Sequence, residues 1–194
     1  WYVYPREATA ALFVALGVLP DAPRGVLGRA SLVGALALST LGVSAVVARN
    51  YAAFDETTRD FDRVIAEIPR APRLLYLIFD HDGSTRTTTP YIHLPAWVQA
   101  DRGGWLSFHF SLMGASPLLY REDPAGDVPP PVPTRWEWTP QKFDVRKNGT
   151  FFDWFLVRRD KDPKRLFAAD PTIVFTSHQG DWWLYRRERR AATP

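Results

Sequence analysis

Two carboxylates flank a histidine in Asp80-His81-Asp82-Gly83-Ser84, directly after the apolar run 74–79. Open α/β sheets place ligands just beyond the carboxyl ends of their strands. Oxygen ligands at this spacing suit Mg²⁺ or Ca²⁺, and a metal-dependent hydrolase working through Asp80, His81 and Asp82 is one expectation. An EF-hand loop needs glycine at its sixth position, whereas Gly83 is fourth from Asp80, so that motif fails. The competing reading, a polar turn into the 84–90 loop, carries more weight. His93, His109 and His178 form no HExxH or other metal-ligand spacing. Ser107, Ser111 and Ser116 lack the GxSxG context of a nucleophile elbow, and no GxxxxGK phosphate loop occurs. Gly103-Gly104 reads as a helix stop, and Asn148-Gly149-Thr150 as a turn rather than a glycosylation acceptor. No catalytic residue, cofactor or metal is assigned, and Asp80 and Asp82 stand only as secondary metal candidates.

Tryptophan pairs offer a different chemistry. Trp136-Glu137-Trp138 and Trp182-Trp183 could form an aromatic platform for a sugar or a protein partner. In an alternating strand one member of each pair is buried and the other exposed. Packing at the sheet rim is the heavier reading, and a binding surface the lighter.

The element that mounts these residues is the stretch 30–48, nineteen residues without a charge, closed by Arg29 and Arg49. As a helix it would cover roughly 28 Å, close to the hydrocarbon thickness of a bilayer. A spanning helix over about 25–48 is therefore expected. A second span over 1–19 would require Arg6 and Glu7 to sit at the interface. The intervening Pro20-Asp21-Ala22-Pro23-Arg24-Gly25 is a turn by composition. Such a hairpin would put Trp1, Tyr2, Tyr4 and Tyr51 in one aromatic belt, with Arg24 and Arg29 on the opposite, cytoplasmic side. Arg49 opposes that orientation, leaving two charges against one. Ser31, Ala35 and Ser39 recur every four residues with Gly42 beside them, a stripe that lets another helix approach closely.

Residues 50–194 read as a soluble α/β domain. Its lead-in helix, 51–68, carries Phe54, Phe61, Val64, Ile65 and Ile68 on one face and stops before Pro69. The run 74–79 is a buried and parallel strand. A short helix over 93–100, a strand over 105–111, a polyproline-like excursion over 123–134, a strand over 151–157 and a helical turn over 163–169 follow. A hairpin of 172–176 with 182–186 closes the domain. Strand-helix-strand order with a closing hairpin predicts one layered α/β domain behind an N-terminal membrane segment, 1–49.

Composition sets the outer limits. The chain has 194 residues, net charge +3 with the signs mixed along its length, and no cysteine. Disulfides, thiolate metal sites and cysteine nucleophiles are thereby excluded. Nucleic acid is not an expected partner, because the one basic run, Arg186 to Arg190, lies in the tail. The chain starts at Trp1 and its one methionine is Met113, which reads as a fragment or a processed form.

The order of a final membrane helix, FDxxxRVIAEIP, LLYLIFD, HLPAWVQADRGG, WEWTPQKFD, FDWFLVRR and GDWWLYRR resembles one kind of bacterial protein. It is similar to the C-terminal end of polytopic membrane proteins related to the GT-C glycosyltransferases, which use polyprenyl-phosphate sugars. That resemblance implies an extracytoplasmic domain on the bacterial inner membrane, with a sugar or lipid-linked sugar as partner. It transfers no catalytic residue, since the catalytic acid of GT-C enzymes lies in an early loop that has no counterpart here. The leading expectation is a non-catalytic, membrane-anchored domain. It would dock onto and stabilise a respiratory, photosynthetic or transport complex from the extracytoplasmic face, contacting the bilayer and other transmembrane subunits. A C-terminal fragment of a GT-C-like enzyme is the alternative.

Overall fold

The computed structural model describes residues 10–11, 13–14, 23–83, 89–108, 130 and 136–188. The expected span over 1–19 falls mostly outside them, as does most of the 123–134 excursion. The chain divides into two compact units, residues 1–49 and 50–194.

A single helix, α1 (Val26–Ile65, 40 residues), belongs to both units. Two successive helices were expected, but Arg49-Asn50-Tyr51-Ala52-Ala53 contains neither glycine nor proline, so nothing interrupts the backbone ladder. Before the helix, the Arg29 guanidinium donates to the Pro23 carbonyl at 2.9 Å. After it, the Glu67 and Ile68 N–H groups reach back three residues to Val64 and Ile65, tightening the chain ahead of Pro69. The helix stops a few residues short of the sequence expectation for that reason.

Within the first unit, Leu32, Val33, Leu36, Leu38, Leu41, Val43 and Val46 are all exposed, and they point in every direction around the helix. Among the described residues this helix is the one long and apolar enough to cross a membrane.

In the second unit five strands form one mixed sheet: β1 (Arg73–Ile78), β2 (Trp105–Leu106), β3 (Trp154–Arg158), β4 (Ile173–Gln179) and β5 (Trp182–Arg187). Their spatial order is β2-β1-β3-β5-β4, with β1 parallel to β2 and β3, and β5 antiparallel to β3 and β4. Short helices α2 (Ala96–Arg102) and α3 (Val145–Asn148) lie in the connections.

Both faces of the sheet are covered. Leu74, Tyr76 and Ile78 of β1 join Leu156, Trp182 and Leu184 beneath Phe61 and Val64 of α1. Leu75 and Leu77 point the other way, into Phe155, Val157 and Tyr185 under Phe143, Val145, Phe152 and Phe167. Strand periodicity of two divides the continuous apolar run between two cores. Each fully buried side chain of this size contributes about 1.5–3 kcal/mol. The second unit is thus a layered α/β domain, with the parallel pairing expected of β1.

The strand expected over 105–111 is cut to two residues. The Ser107 hydroxyl accepts the Tyr76 N–H at 3.0 Å, so a side chain takes the position that the next backbone carbonyl would fill. Residues 109–111 lie outside the described residues. Likewise the segment holding Trp136 and Trp138 is a 3₁₀ turn (Trp136–Trp138), not an alternating strand. Its neighbours Pro140 and Pro133 disfavour strand pairing there.

The approach to β2 depends on a glycine. Gly104 has φ +83°, and a Cβ there would overlap the backbone of Ala71 and Pro72, whose carbonyl accepts the Trp105 N–H at 2.7 Å. Gly103 also has positive φ, but open space surrounds it. Gly103→Ala should therefore cost about 1–2 kcal/mol from backbone strain alone. Gly104→Ala should cost more, because it also breaks the β1–β2 approach. Chemical denaturation of the two variants measures the difference, and equal losses would contradict this packing.

Candidate binding site

The carboxyl end of the parallel pair β1–β3 is where the Asp80-His81-Asp82 motif falls. The Asp80 carboxylate accepts the Asp160 N–H at 2.9 Å, while the Phe79 N–H donates to the Arg158 carbonyl at 3.0 Å. The motif thus ties the two strand ends together as a turn. His81 lies with one ring nitrogen 3.2 Å from the Glu137 carbonyl and its ring 5.6 Å from Trp138. Among the described residues no three His, Asp or Glu side chains are grouped to hold a metal ion. His93 packs near Phe108 and His178 stacks on Trp183, so the two are not brought together, while His109 lies outside the described residues. Ser107 is fully buried and serves the sheet, whereas Ser111 and Ser116 lie outside the described residues. Asn148 ends α3, and its side-chain oxygen accepts the Asp144 N–H at 3.1 Å.

A cation that the sequence reading passed over sits on the opposite side of the same strand end. Arg158 is buried in β3, with its guanidinium 3.9 Å over the Tyr91 ring and 5.7 Å from Trp182. Nη2 pairs with Asp181 at 3.2 Å. Nε and Nη1 have no hydrogen-bond acceptor among the described residues, and the Tyr91 ring face supplies the compensating electrostatics. Tyr91 in turn donates to the Thr57 hydroxyl of α1 at 2.6 Å. Helix, sheet and hairpin turn meet at this charge. An apolar run followed by Arg158 and Arg159 gave the sequence no sign of which arginine turns inward.

The tryptophan candidates separate. Trp182 is 1% exposed and belongs to the core, Trp138 is exposed beside His81, and Trp183 is half-buried at the mouth of a cleft. The side chain of Trp136 lies outside the described residues.

That cleft, of about 510 Å³, is where aromatic and charged groups converge. Its wall is the sheet face carrying Tyr185 and Trp183, and the edge strand β4 adds Phe175. A bulge at Thr176 decides the arrangement. Phe175 pairs with Tyr185, the register then shifts, and His178 pairs with Trp183. Residues three apart on β4 thereby share a face, where strict alternation would separate them. His178 stacks on one side of Trp183 at 3.7 Å, and Phe175 meets Trp183 and Tyr185 edge-on at 6.3 and 5.7 Å. The indole N–H of Trp183 is held by the Arg159 carbonyl at 2.9 Å.

Polar groups line the rim. The Oδ1 of Asp162 accepts both the Tyr185 hydroxyl at 2.8 Å and the Lys164 N–H at 2.9 Å. Desolvation pushes the Asp162 carboxyl up, but these two hydrogen bonds and the nearby charges of Lys164 and His178 outweigh it, so it lies below the ordinary carboxylate range. Burial and the same Asp162 carboxylate push Tyr185 up, which keeps it a donor. Deeper in the cleft, Asp170 accepts from Thr172 and pairs with Arg187 at 2.6 Å. Phe175, Asp162, Lys164 and Tyr185 escaped the sequence reading because only the bulge and the 3₁₀ turn Lys164–Phe167 bring them together.

The Ser31, Ala35, Ser39 and Gly42 stripe lies on the exposed first part of α1. Around Gly42 there is open space. No protein-family model, curated protein or solved structure matches the chain, and none bears on the GT-C relationship.

Asp170 makes acid stability testable. Burial raises its pKa, but the Thr172 hydroxyl and N–H and the Arg187 guanidinium together bring it below the usual value. A depressed folded-state pKa gives stability that is complete above the unfolded value, about 3.9, and lost as pH falls through the folded one. Asp170→Asn should cost about 1–3 kcal/mol at pH 7, and progressively less at a pH below the unfolded value. Urea titrations at pH 7 and at such a lower pH check this, and a gap independent of pH would contradict it.

Proposed function

We propose that this chain is a non-catalytic, membrane-anchored subunit that docks onto a multi-subunit membrane complex from the extracytoplasmic side and stabilises it. The observation that carries this reading is α1, whose first part is apolar on all sides with none of its apolar window buried. A helix that is hydrophobic all round is stable inside a protein or inside a bilayer, and here no protein covers it among the described residues. The same helix continues into the folded unit, where Phe61 and Val64 are core residues. That continuity favours a permanent anchor over a leader removed after export.

Arg24 and Arg29 at the start of α1 favour a cytoplasmic N-terminal end, and hence an extracytoplasmic sheet domain on the inner membrane. The Ser31, Ala35 and Ser39 stripe supplies the face for neighbouring transmembrane subunits. Asp80 is engaged in a turn through the Asp160 N–H, which supports a structural role for the Asp80-His81-Asp82 motif.

Two experiments test the reading. After alkaline carbonate washing, the chain should stay with the membrane fraction, and release into the supernatant would overturn the anchor. Replacing Ala35 and Ser39 by Leu should leave insertion intact but reduce stoichiometric co-purification of membrane partners several-fold in gentle detergent. Unchanged co-purification would remove the stripe from the interface.

A further inference from the structure

We infer that the cleft between β4, β5 and the Lys164–Phe167 turn is a carbohydrate-binding site, taking a neutral pyranose-containing oligosaccharide. The inference goes beyond the anchoring role and does not depend on it.

The cleft has the size of a ligand site and the composition of one, with aromatic walls and a few fixed polar groups. Its chemistry narrows the ligand. Phe175 is 55% exposed although it is large and apolar, and it stands at the mouth beside Trp183. A ring this exposed leaves apolar surface for a ligand to cover. Asp162 lies on the rim as a carboxylate whose Oδ1 accepts from Tyr185 and Lys164, while Oδ2 has no donor among the described residues. Beside it Lys164 brings a donor of opposite charge.

Charge then discriminates among ligand classes. An anion would meet the carboxylates of Asp162 and Asp170, the second already matched by Arg187. A cation would have the Lys164 ammonium on the same rim. A purely apolar ligand would strip water from Asp162 without replacing its hydrogen bonds, which is costly. A pyranose ring meets all three constraints. Its axial C–H face packs on Phe175, while its equatorial hydroxyls donate to the Asp162 carboxylate and accept from the Lys164 ammonium. The sheet pre-forms the site, because Trp183 is anchored by Arg159 and Tyr185 by Asp162. Little ordering cost remains for binding.

Ligand-observed NMR on the full chain in detergent micelles tests this, using cellobiose, chitobiose, maltose, lactose and mannobiose as probes. Saturable binding of at least one disaccharide is expected, with at least a tenfold loss in both Phe175→Ala and Asp162→Asn. Trp138→Ala, remote from the cleft, should bind as the parent does. Asp162→Asn keeps an acceptor for Tyr185, so it reads the site even if Phe175→Ala folds poorly. Absence of binding by all five sugars would overturn the proposal, as would binding that both cleft variants leave unchanged. Saturable binding of tetramethylammonium or inorganic phosphate in the cleft, in place of the sugars, would also overturn it.

Discussion

A strand buried on both faces can exist only between two covering layers, and β1 imposes that requirement on everything around it. Leu74, Tyr76 and Ile78 need one cover, and Leu75 and Leu77 need another. The last turns of α1 supply the first cover through Phe61 and Val64. The stretch from Phe143 to Phe152, which includes α3, supplies the second together with Phe167. Because the interior is close-packed, neither layer can be removed without exposing half of the strand to water. The antiparallel hairpin β4–β5 extends the sheet on the β3 side and ends it in a bulged edge, which hinders further strand addition.

The helix that covers β1 is also the helix proposed to enter the membrane. Phe61 packs against Trp182, and Tyr91 bridges from Thr57 to the Arg158 guanidinium. These contacts fix the domain part of α1 to the centre of the sheet through aromatic packing and one compensated charge. The backbone ladder of this helix is unbroken from Val26 to Ile65.

Much of the fold was legible because its elements carry strong periodic signals. The apolar run of β1, the helical spacing of Phe54, Phe61, Val64 and Ile65, and the hairpin around Gly180 each needed only local information. Boundaries shifted where side chains intervened, as when the Ser107 hydroxyl replaced a strand residue of β2. The join of two expected helices into one followed from the lack of a breaker near Asn50. The site was much less legible. Trp182 and Trp183 were marked as a pair, and strand alternation does separate them into core and cleft. Their cleft neighbours were not visible, because a bulge at Thr176 changes which β4 residues face them. Asp162 arrives from a turn with no signature beyond its proline and charges. Arg158 was illegible for a related reason, since nothing local distinguishes it from Arg159.

The absence of cysteine from the whole chain makes the most direct measurement clean. Single cysteines at Leu36, Leu38, Leu41 and Val43, and at Asp55, Glu56 and Arg59, would be treated in native membranes with a membrane-impermeant maleimide. All four apolar positions should resist labelling, although they face different sides of α1, while the three charged positions label from the extracytoplasmic side. Labelling of the apolar positions in a three-to-four-residue rhythm would mean that one side of this helix meets water. That result would contradict a membrane-spanning anchor.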